Sequence, residues 1–539
     1  MQAIKQRAGR TLMPVESAGT GSKKERRAVN VQQLFEEYEQ TDAERQTLVS
    51  VLEEAYAYTQ PERNSLLSDP QALGKNRQGQ DGQRKDYASE PMDAVSRGAS
   101  NILSALMPPE RRWVKLEAGA DIPEDQADRV NESLEEWTEV LFNYLSRSNV
   151  SSEGHRMVLD LMIGTGAMVV EEGDEDSPLR FTAVPSVQVR PILGADNSVE
   201  KVHRRYLMKV SHIRQKWPLA TLSGRLATLA LTNPAERVEI HECTIQGGSG
   251  EWRFLLIDPD TKGVMLDQPL DRKRWVVPRW EVRTGQTYGI GPVRTALPAI
   301  RNLNKLDELE LLGLAKAVDP PLLMDSAAVL NPRTFRVSPN AINVIDAGGA
   351  PVSNAVQPLL SASNPGLLDT RRDRLIRTIE RICLAQEFLP PPTAAGSMTA
   401  AEVMVRRQEA LRDAGVNIGR LQREFLYSIV EIAVDILADA GLFPPIKVDG
   451  KQVRVRYVGP LSQQQDADDA TNVSTWAQEA QAAVGPQAFM LAAKVEEIPK
   501  KLGEMRGIPM DLLRSDQEVQ QMQQAAAQAA TAGAEMPEA

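Results

Sequence analysis

Between Arg283 and Pro321 the chain reads RTGQTYGIGPVRTALPAIRNLNKLDELELLGLAKAVDPP. Gly285, Gly289 and Gly291 form a glycine-rich turn, Pro292 follows where a helix would begin, and Pro320-Pro321 close the run. Proline costs nothing at a first helical position, because its missing N–H has no partner there anyway. The pattern predicts a helix over residues 292–317, about 40 Å long at ~1.5 Å per residue. Long helices of this kind lack a complete core of their own. Glycines before a helix can also cradle phosphate, so the turn needs a test. A phosphate-binding loop would continue into Gly-Lys-Ser/Thr, which is absent, and Arg294 stands where a dinucleotide fingerprint needs its third glycine. A tight turn launching a structural helix is the better reading. A second glycine motif, IGTGAMVV at 163–170, follows a helix and precedes a strand, the reverse of a dinucleotide site. It reads as a helix end at Gly164 or Gly166.

Around this helix the chain is predicted to be α+β. Residues 1–28 are polar and locally basic, without the apolar region of a secretory signal, and are expected to be a disordered arm. Helical patterns follow at 31–58, 91–107, 123–147 and 151–163; Val130, Leu134, Trp137, Leu141, Tyr144 and Leu145 keep one face of the third. From Ala167 the text turns short and β-branched (AMVVEE, RFTAVP, VQVRPI, EKVHRRYLM, RVEIHECTI, EWRFLLID, RWVVPRWEV), predicting an antiparallel sheet. A helix, SHIRQKWP, interrupts it, with Ser211 as expected N-cap. Beyond the long helix come a β-like patch (320–346), a second helix (365–386), a loop EFLPPPTAAGSM and a third helix (400–440). The third opens on a capping box, Thr399 with Glu402, stops at Gly441 and Pro444-Pro445, and is expected to bend at Gly415 and Gly419. A strand at 452–459 leads into an Ala/Gln-rich helical end.

No catalytic constellation emerges. The two cysteines, Cys243 and Cys383, form no CxxC pair, and the four histidines show no ligand spacing. The acidic run Glu171, Glu172, Asp174, Glu175 and Asp176 lacks the alternation of a calcium loop and reads as a solvated hairpin turn. Cofactors and metals are expected to be none, and no run approaches the ~18 apolar residues of a membrane span. A net charge of −11 argues against a general nucleic-acid binder. Arg374, Arg377 and Arg381 recur at i, i+3 and i+7; they face either phosphate, or solvent or a subunit.

The order of elements, two long helices flanking a small β patch and then a proline-rich loop into a bent helix, resembles the stem–clip–stem–tunnel loop–wing order of bacteriophage portal proteins. The text of IGTGAMVVEE, YGIGPVRTALPAIRNLNKLDELELLGLAKAVDPPLL, MTAAEVMVRRQE and GRLQREFLYSIVEIAVDILADAGLFPP is similar to the head-to-tail connectors of short-tailed phages over about residues 30–460. The resemblance implies an α+β portal-type protomer, not an enzyme: arm 1–28, wing 29–290, first stem helix 291–318, clip and return segment 319–363, second stem helix 364–386, tunnel loop 387–398, long wing helix and strand 399–461, and helical crown 462–539. It implies a ring, usually of twelve copies, at one capsid vertex, through which a separate terminase ATPase drives double-stranded DNA. That fits the missing nucleotide motif. Further implied partners are the major capsid and scaffolding proteins and a tail adaptor, with assembly in the host cytoplasm and residence in the virion.

The site residues follow from that order. The tunnel loop would place Phe388, Leu389, Pro390, Pro391, Pro392, Thr393, Ala394, Ala395, Gly396 and Ser397 at the narrowest gate, where three fixed-φ prolines stiffen the loop and small uncharged residues pass DNA without gripping it. Stem contacts between subunits would set Asp307, Glu308 and Glu310 against Arg371, Arg372, Arg374, Arg377 and Arg381, with the arginines facing DNA as the other option. Lys316, Arg333 and Arg336 are the expected clip contacts to terminase or tail. Two rival readings are a cytosolic enzyme without a recognisable motif and a filamentous or scaffold protein.

Overall fold

The computed structural model describes residues 30–61, 87–318 and 419–505 with short breaks, and the segments 322–324, 356–358 and 365–385. The elements run α1 (Val31–Thr59), α2 (Glu90–Leu106), β1 (Val114–Ala118), α3 (Glu124–Arg147), α4 (Val150–Leu161), β2 (Met168–Glu172), β3 (Leu179–Ala183), β4 (Val189–Leu193), β5 (Val199–Lys209), α5 (Val210–Lys216), α6 (Gly224–Thr232), β6 (Arg237–Gln246), β7 (Trp252–Asp258), β8 (Gly263–Leu270), β9 (Trp275–Val276), α7 (Pro292–Val318), β10 (Leu322–Met324), β11 (Val356–Pro358), α8 (Pro365–Ile382), α9 (Ser428–Asp439), β12 (Val453–Tyr457), α10 (Pro460–Val484) and α11 (Glu497–Met505). The fold is mixed α+β, with helices and several sheets.

The strands expected from Ala167 onward make two sheets rather than one: three strands in the order β3-β2-β9, and a five-stranded meander β4-β5-β6-β7-β8. Pro185 and a 3-10 turn at Ser186–Gln188 redirect the chain between β3 and β4, and β9 returns to β2. Strand β8 escaped the sequence reading because its exposed edge carries Asp267, Gln268 and Pro269 instead of apolar alternation, as an edge strand tolerates. Strand β1 escaped it because its partner is β12, with Val114 opposite Tyr457. The N-cap of helix α5 lies two residues earlier than expected, at Lys209 rather than Ser211. The N–H groups of Val210 and Ser211 donate to the Glu236 and Pro234 carbonyls at 3.0 and 3.1 Å, so the loop before β6 does the capping.

The largest core gathers α2, α3, α4, β2, the first half of α7, the last turn of α8 and all of α9. Seven of the twelve α9 residues are buried, so this helix is the centre of the protomer rather than a surface element. The stretch before it, Gln422–Tyr427, is a π-turn. The expected bend at Gly415 lies outside the described residues; the described irregularity comes after Gly419. A π-turn inserts one residue into a helix and re-aims its side chains. Here Glu424 accepts from the Arg279 backbone N–H and from its Nη2, both at 2.9 Å, while Nη2 also donates to the Asn197 carbonyl at 2.8 Å. Arg279 is 4% exposed, so Glu424 is its main compensation. Glu424→Gln keeps hydrogen-bonding capacity but removes the charge, and is expected to destabilise by about 1–3 kcal/mol. Urea melts compared with the native chain check this; an unchanged midpoint contradicts it.

Candidate functional site

The glycine turn and the second glycine motif turn out to be two halves of one joint. Three backbone N–H groups leading into α7 are used by the loop after α4: Gly291 donates to Ile163 O and Val293 to Met162 O, both at 3.0 Å, and Gly289 donates to Thr165 Oγ1 at 3.0 Å. Trp280 N–H returns to Gly164 O at 2.9 Å, and Ile290 N–H to Glu281 O at 2.8 Å. Those amides are therefore spent on the chain itself and are not offered to a phosphate. The approach is backbone to backbone. A Cβ on Gly291 would lie 2.1 Å from Met162 O, one on Gly289 2.3 Å from Gly164 O, and one on Gly164 2.2 Å from Gly289 O. Only glycine fits these positions, whereas Gly285 serves a positive φ of 81° in open space.

From this joint α7 runs outward. Val293, Ala296, Leu297, Ile300 and Leu303 are buried, and Pro298 interrupts the ladder on the exposed side, where water can satisfy the Arg294 carbonyl it leaves free. Past Asp307 the helix leaves the core: Leu309, Leu311, Leu312 and Leu314 are 51–56% exposed. At about 100° per residue, Leu311 and Leu314 continue the stripe of Ile300, Leu303 and Asp307, whereas Leu309 and Leu312 fall on the far side beside Arg301 and Lys305. Helix α8 packs against α7 and brings the chain back. Its exposed end precedes Ile379, Cys383 and Ala385, which are buried in the main core. Where it arrives, Gly98 of α2 meets it so closely that a Cβ there would lie 2.1 Å from Cys383 O. Asn101 Nδ2 donates to Leu384 O at 2.9 Å and Arg97 pairs with Glu380 at 2.9 Å. Burial pushes the Cys383 thiol up to about 12, so it stays a protonated packing group. Beyond the far ends of the two helices, β10 and β11 pair antiparallel, Leu323 opposite Gln357.

The predicted charged residues separate by face. Arg372 points inward: Nε donates to Asp307 at 3.1 Å, and Nη2 pairs with Glu90. Asp307 is 7% exposed, so this pair is internal to the protomer. Arg371, Arg374, Arg377 and Arg381 are exposed on the opposite face of α8, where Thr370, Asp373, Arg374, Arg377, Thr378 and Arg381 line a groove. Glu308, paired with Lys305 at 2.7 Å, and Glu310 are half-buried on α7. Lys316 lies in the last turns of α7. Arg333, Arg336, the gate residues Phe388 to Ser397 and the Thr399–Glu402 capping box lie outside the described residues. The leucines were missed because a run of LDELELLGLA was read for its length and not for the faces it exposes. Among the described residues no group of three His, Cys, Asp or Glu side chains is arranged to hold a metal, and no helix is long and apolar enough to cross a membrane.

Among solved structures, the chain is similar to one in the virion of a native gene transfer agent particle, at 15% identity with a TM-score of 0.31, over 75% of this chain and 91% of that one. Another, from the neck of an empty gene transfer agent particle, gives 14% identity and a TM-score of 0.31 over 70% and 85%. By sequence it is 24% identical over 397 residues to the probable portal protein of Bordetella phage BPP-1, covering 68% of this chain and 69% of that protein. The family model for the bacteriophage head to tail connecting protein matches residues 31–513, which takes in the glycine joint, both projecting helices and the central helix. The chain belongs to that family, the portal proteins, structural connectors of phage head and tail.

Proposed function

We propose that this portal protomer closes into a ring, most simply of twelve copies, with α7 and α8 as its stem, and that the ring is the conduit for packaging and ejecting double-stranded DNA. The observation that supports the ring is the projecting helix pair. Leu309 and Leu312 are exposed on a face that no element of the protomer covers among the described residues, and the exposed arginines of α8 offer a neighbour the opposite charge to Glu308 and Glu310. A head-to-tail contact of two different faces closes at one rotation. Native mass spectrometry and top-view electron microscopy at micromolar concentration are expected to show closed rings. Monomers and dimers alone overturn the reading and favour a scaffold or an enzyme.

In this reading Arg371, Arg374, Arg377 and Arg381 set register against Glu308 and Glu310 of the next copy. Each exposed pair contributes only ~0–1 kcal/mol, but the ring repeats it. Arg377→Glu is expected to raise the protomer concentration needed for rings several-fold, with less salt sensitivity than the native protein. Unchanged assembly combined with altered DNA retention assigns the arginines to the channel instead. Terminase, capsid, scaffolding and tail-adaptor contacts belong to the same proposal, with Lys316, Arg333 and Arg336 of the clip as terminase or tail contacts and residues 462–539 as the crown. Residues 387–398 are proposed as the gate. Deleting Pro391 to Gly396 is expected to leave rings intact while stable DNA-filled heads are lost; normal yields of filled heads reject the gate.

A further inference from the structure

The β4–β8 sheet carries a buried polar layer that the connector role does not use. On one face, Arg190 of β4 stands opposite His203 of β5, which stands opposite Cys243 of β6; in the next row Arg205 stands opposite His241. The first half of α1 covers this layer. Leu34 and Phe35 pack on Cys243, Ile245, Leu255 and Ile257. Glu37 receives both Lys201 bonds at 2.9 and 3.0 Å, Asp42 receives Arg190 at 3.0 and 2.7 Å, and Arg45 sits 3.7 Å from Asp42. Arg205 lies 3.8 Å from the Tyr38 ring centroid and 5.0 Å from that of Phe35, and Lys262 from the β7–β8 turn lies 5.4 Å from Phe35. Glu239 adds negative charge toward Tyr38. The second half of α1 belongs to a different body: Ala55 and Tyr56 are in the main core, and Tyr56 donates to Asp160 at 3.1 Å. No residue from Gln46 to Ser50 is buried. The helix is thus a strut anchored at two ends.

At the centre of the first anchor His203 and His241 are both fully buried, with His203 Nδ1 and His241 Nε2 3.0 Å apart. A bond of that kind needs one donor and one acceptor. With His241 Nε2–H donating to His203 Nδ1, and His203 Nε2 facing Cys243 Sγ at 3.8 Å, His241 Nδ1 is left as a bare lone pair, buried and without a partner. A proton has no good place to go. On His241 Nδ1 it finds no acceptor; on His203 Nδ1 it sets N–H against N–H. Either way a new charge joins Arg45, Arg190, Lys201, Arg205 and Lys262, which already outnumber Glu37, Asp42 and Glu239. We propose that the first half of α1, Val31–Arg45, is an acid-released strut, freed from the β4–β8 sheet when the His203–His241 pair takes up protons.

Burial, then the Lys201 and Arg205 charges, hold His203 down to about 3; burial, then His203 and Arg205, hold His241 down to about 2. Burial alone would raise the Asp42 carboxyl, but the Arg190 hydrogen bond and the Arg190 and Arg45 charges hold it below its ordinary range, so its ion pair survives mild acid. Once released, both rings regain an ordinary value near 6.5. Docking is therefore complete above about pH 6.5 and is lost as pH falls below it, by up to ~10-fold per pH unit for each ring.

Hydrogen exchange on the full chain at pH 7.5 and 5.5, corrected for intrinsic rates, tests this. Peptides within 31–45 are expected to open ~100-fold more at pH 5.5, with β2 and β3 peptides unchanged. His203→Gln or His241→Gln alone is expected to reduce the effect to ~10-fold, and the double variant to remove it. No change in 31–45, an equal change in β2 and β3, or full pH dependence in the double variant overturns the proposal. If the double variant does not fold, the two peptide sets of the native chain decide alone.

Discussion

Replacing Gly291 by alanine is expected to destabilise the protein by about 3–5 kcal/mol and to dislodge α7. The new Cβ would lie 2.1 Å from Met162 O, with the Ile163 and Met162 carbonyl carbons at 2.5 and 2.6 Å. These neighbours are backbone and cannot turn aside as a side chain end does. Overpacking of this kind costs ~1–3 kcal/mol. Forcing the two segments apart also breaks the bonds from Gly291 N–H to Ile163 O and from Val293 N–H to Met162 O, each worth ~1 kcal/mol and more if the groups stay buried and unpaired. The same change elsewhere supplies the controls. At Gly285, φ is 81° and the space is open, so alanine costs only ~1–2 kcal/mol of backbone strain. At Gly313, inside α7 with nothing within 4 Å, alanine is expected to stabilise by ~1 kcal/mol. Denaturation midpoints of the three variants test the ordering. A Gly291→Ala protein as stable as the Gly285→Ala one would show that the joint yields.

That joint shows where the sequence was legible. Pro292 marked the start of α7 to the residue, because proline at a first helical position is a local rule. The nucleotide readings failed locally as well, that of the first motif for want of a lysine and a third glycine, that of the second because it follows a helix and precedes a strand. What no local rule could supply was that the two motifs meet: Gly164 and Gly289 are far apart in the chain, and glycine that admits a crossing backbone looks the same as glycine in a turn. The same limit hid the β1–β12 pair and the division of the sheet at Pro185. Counting arginines at i, i+3 and i+7 found the exposed stripe of α8. The expected contacts between subunits added Arg372 to that stripe, although two residues of helix rotation from Arg374 turn it about 160° away. The structure puts Arg372 on Asp307 and Glu90. The histidines were dismissed for lacking ligand spacing in the sequence. His203 and His241 meet only because β5 and β6 are neighbours, paired in antiparallel register.

Leu309→Asp combined with Leu312→Asp is expected to abolish rings while leaving the protomer folded. Both leucines are more than half exposed in the isolated chain, at 56% and 51%, so the substitutions disturb little of the packing that the described residues make. Surface changes away from packed features usually stay within ~0.5 kcal/mol. The proposed ring would cover the same positions. Burying a leucine is worth ~1.5–3 kcal/mol when complete. Part of each side chain is already covered, so two leucines contribute roughly 2 kcal/mol per interface, before the added cost of enclosing two carboxylates that have no partner. A closed ring makes the contact at every interface, and losses at each interface compound. The expected readout is a protomer with native unfolding midpoint and native exchange in α9, found as monomer at concentrations where the unaltered chain is fully assembled. Leu311→Asp with Leu314→Asp is the matched comparison, because those positions are equally exposed, at 53% and 56%, but lie on the other side of the helix, so this variant should leave more of the assembly intact. Rings of native yield from the Leu309 and Leu312 variant would move the interface off this face of α7. In that case Arg371, Arg374, Arg377 and Arg381 would become the first surface to test for it.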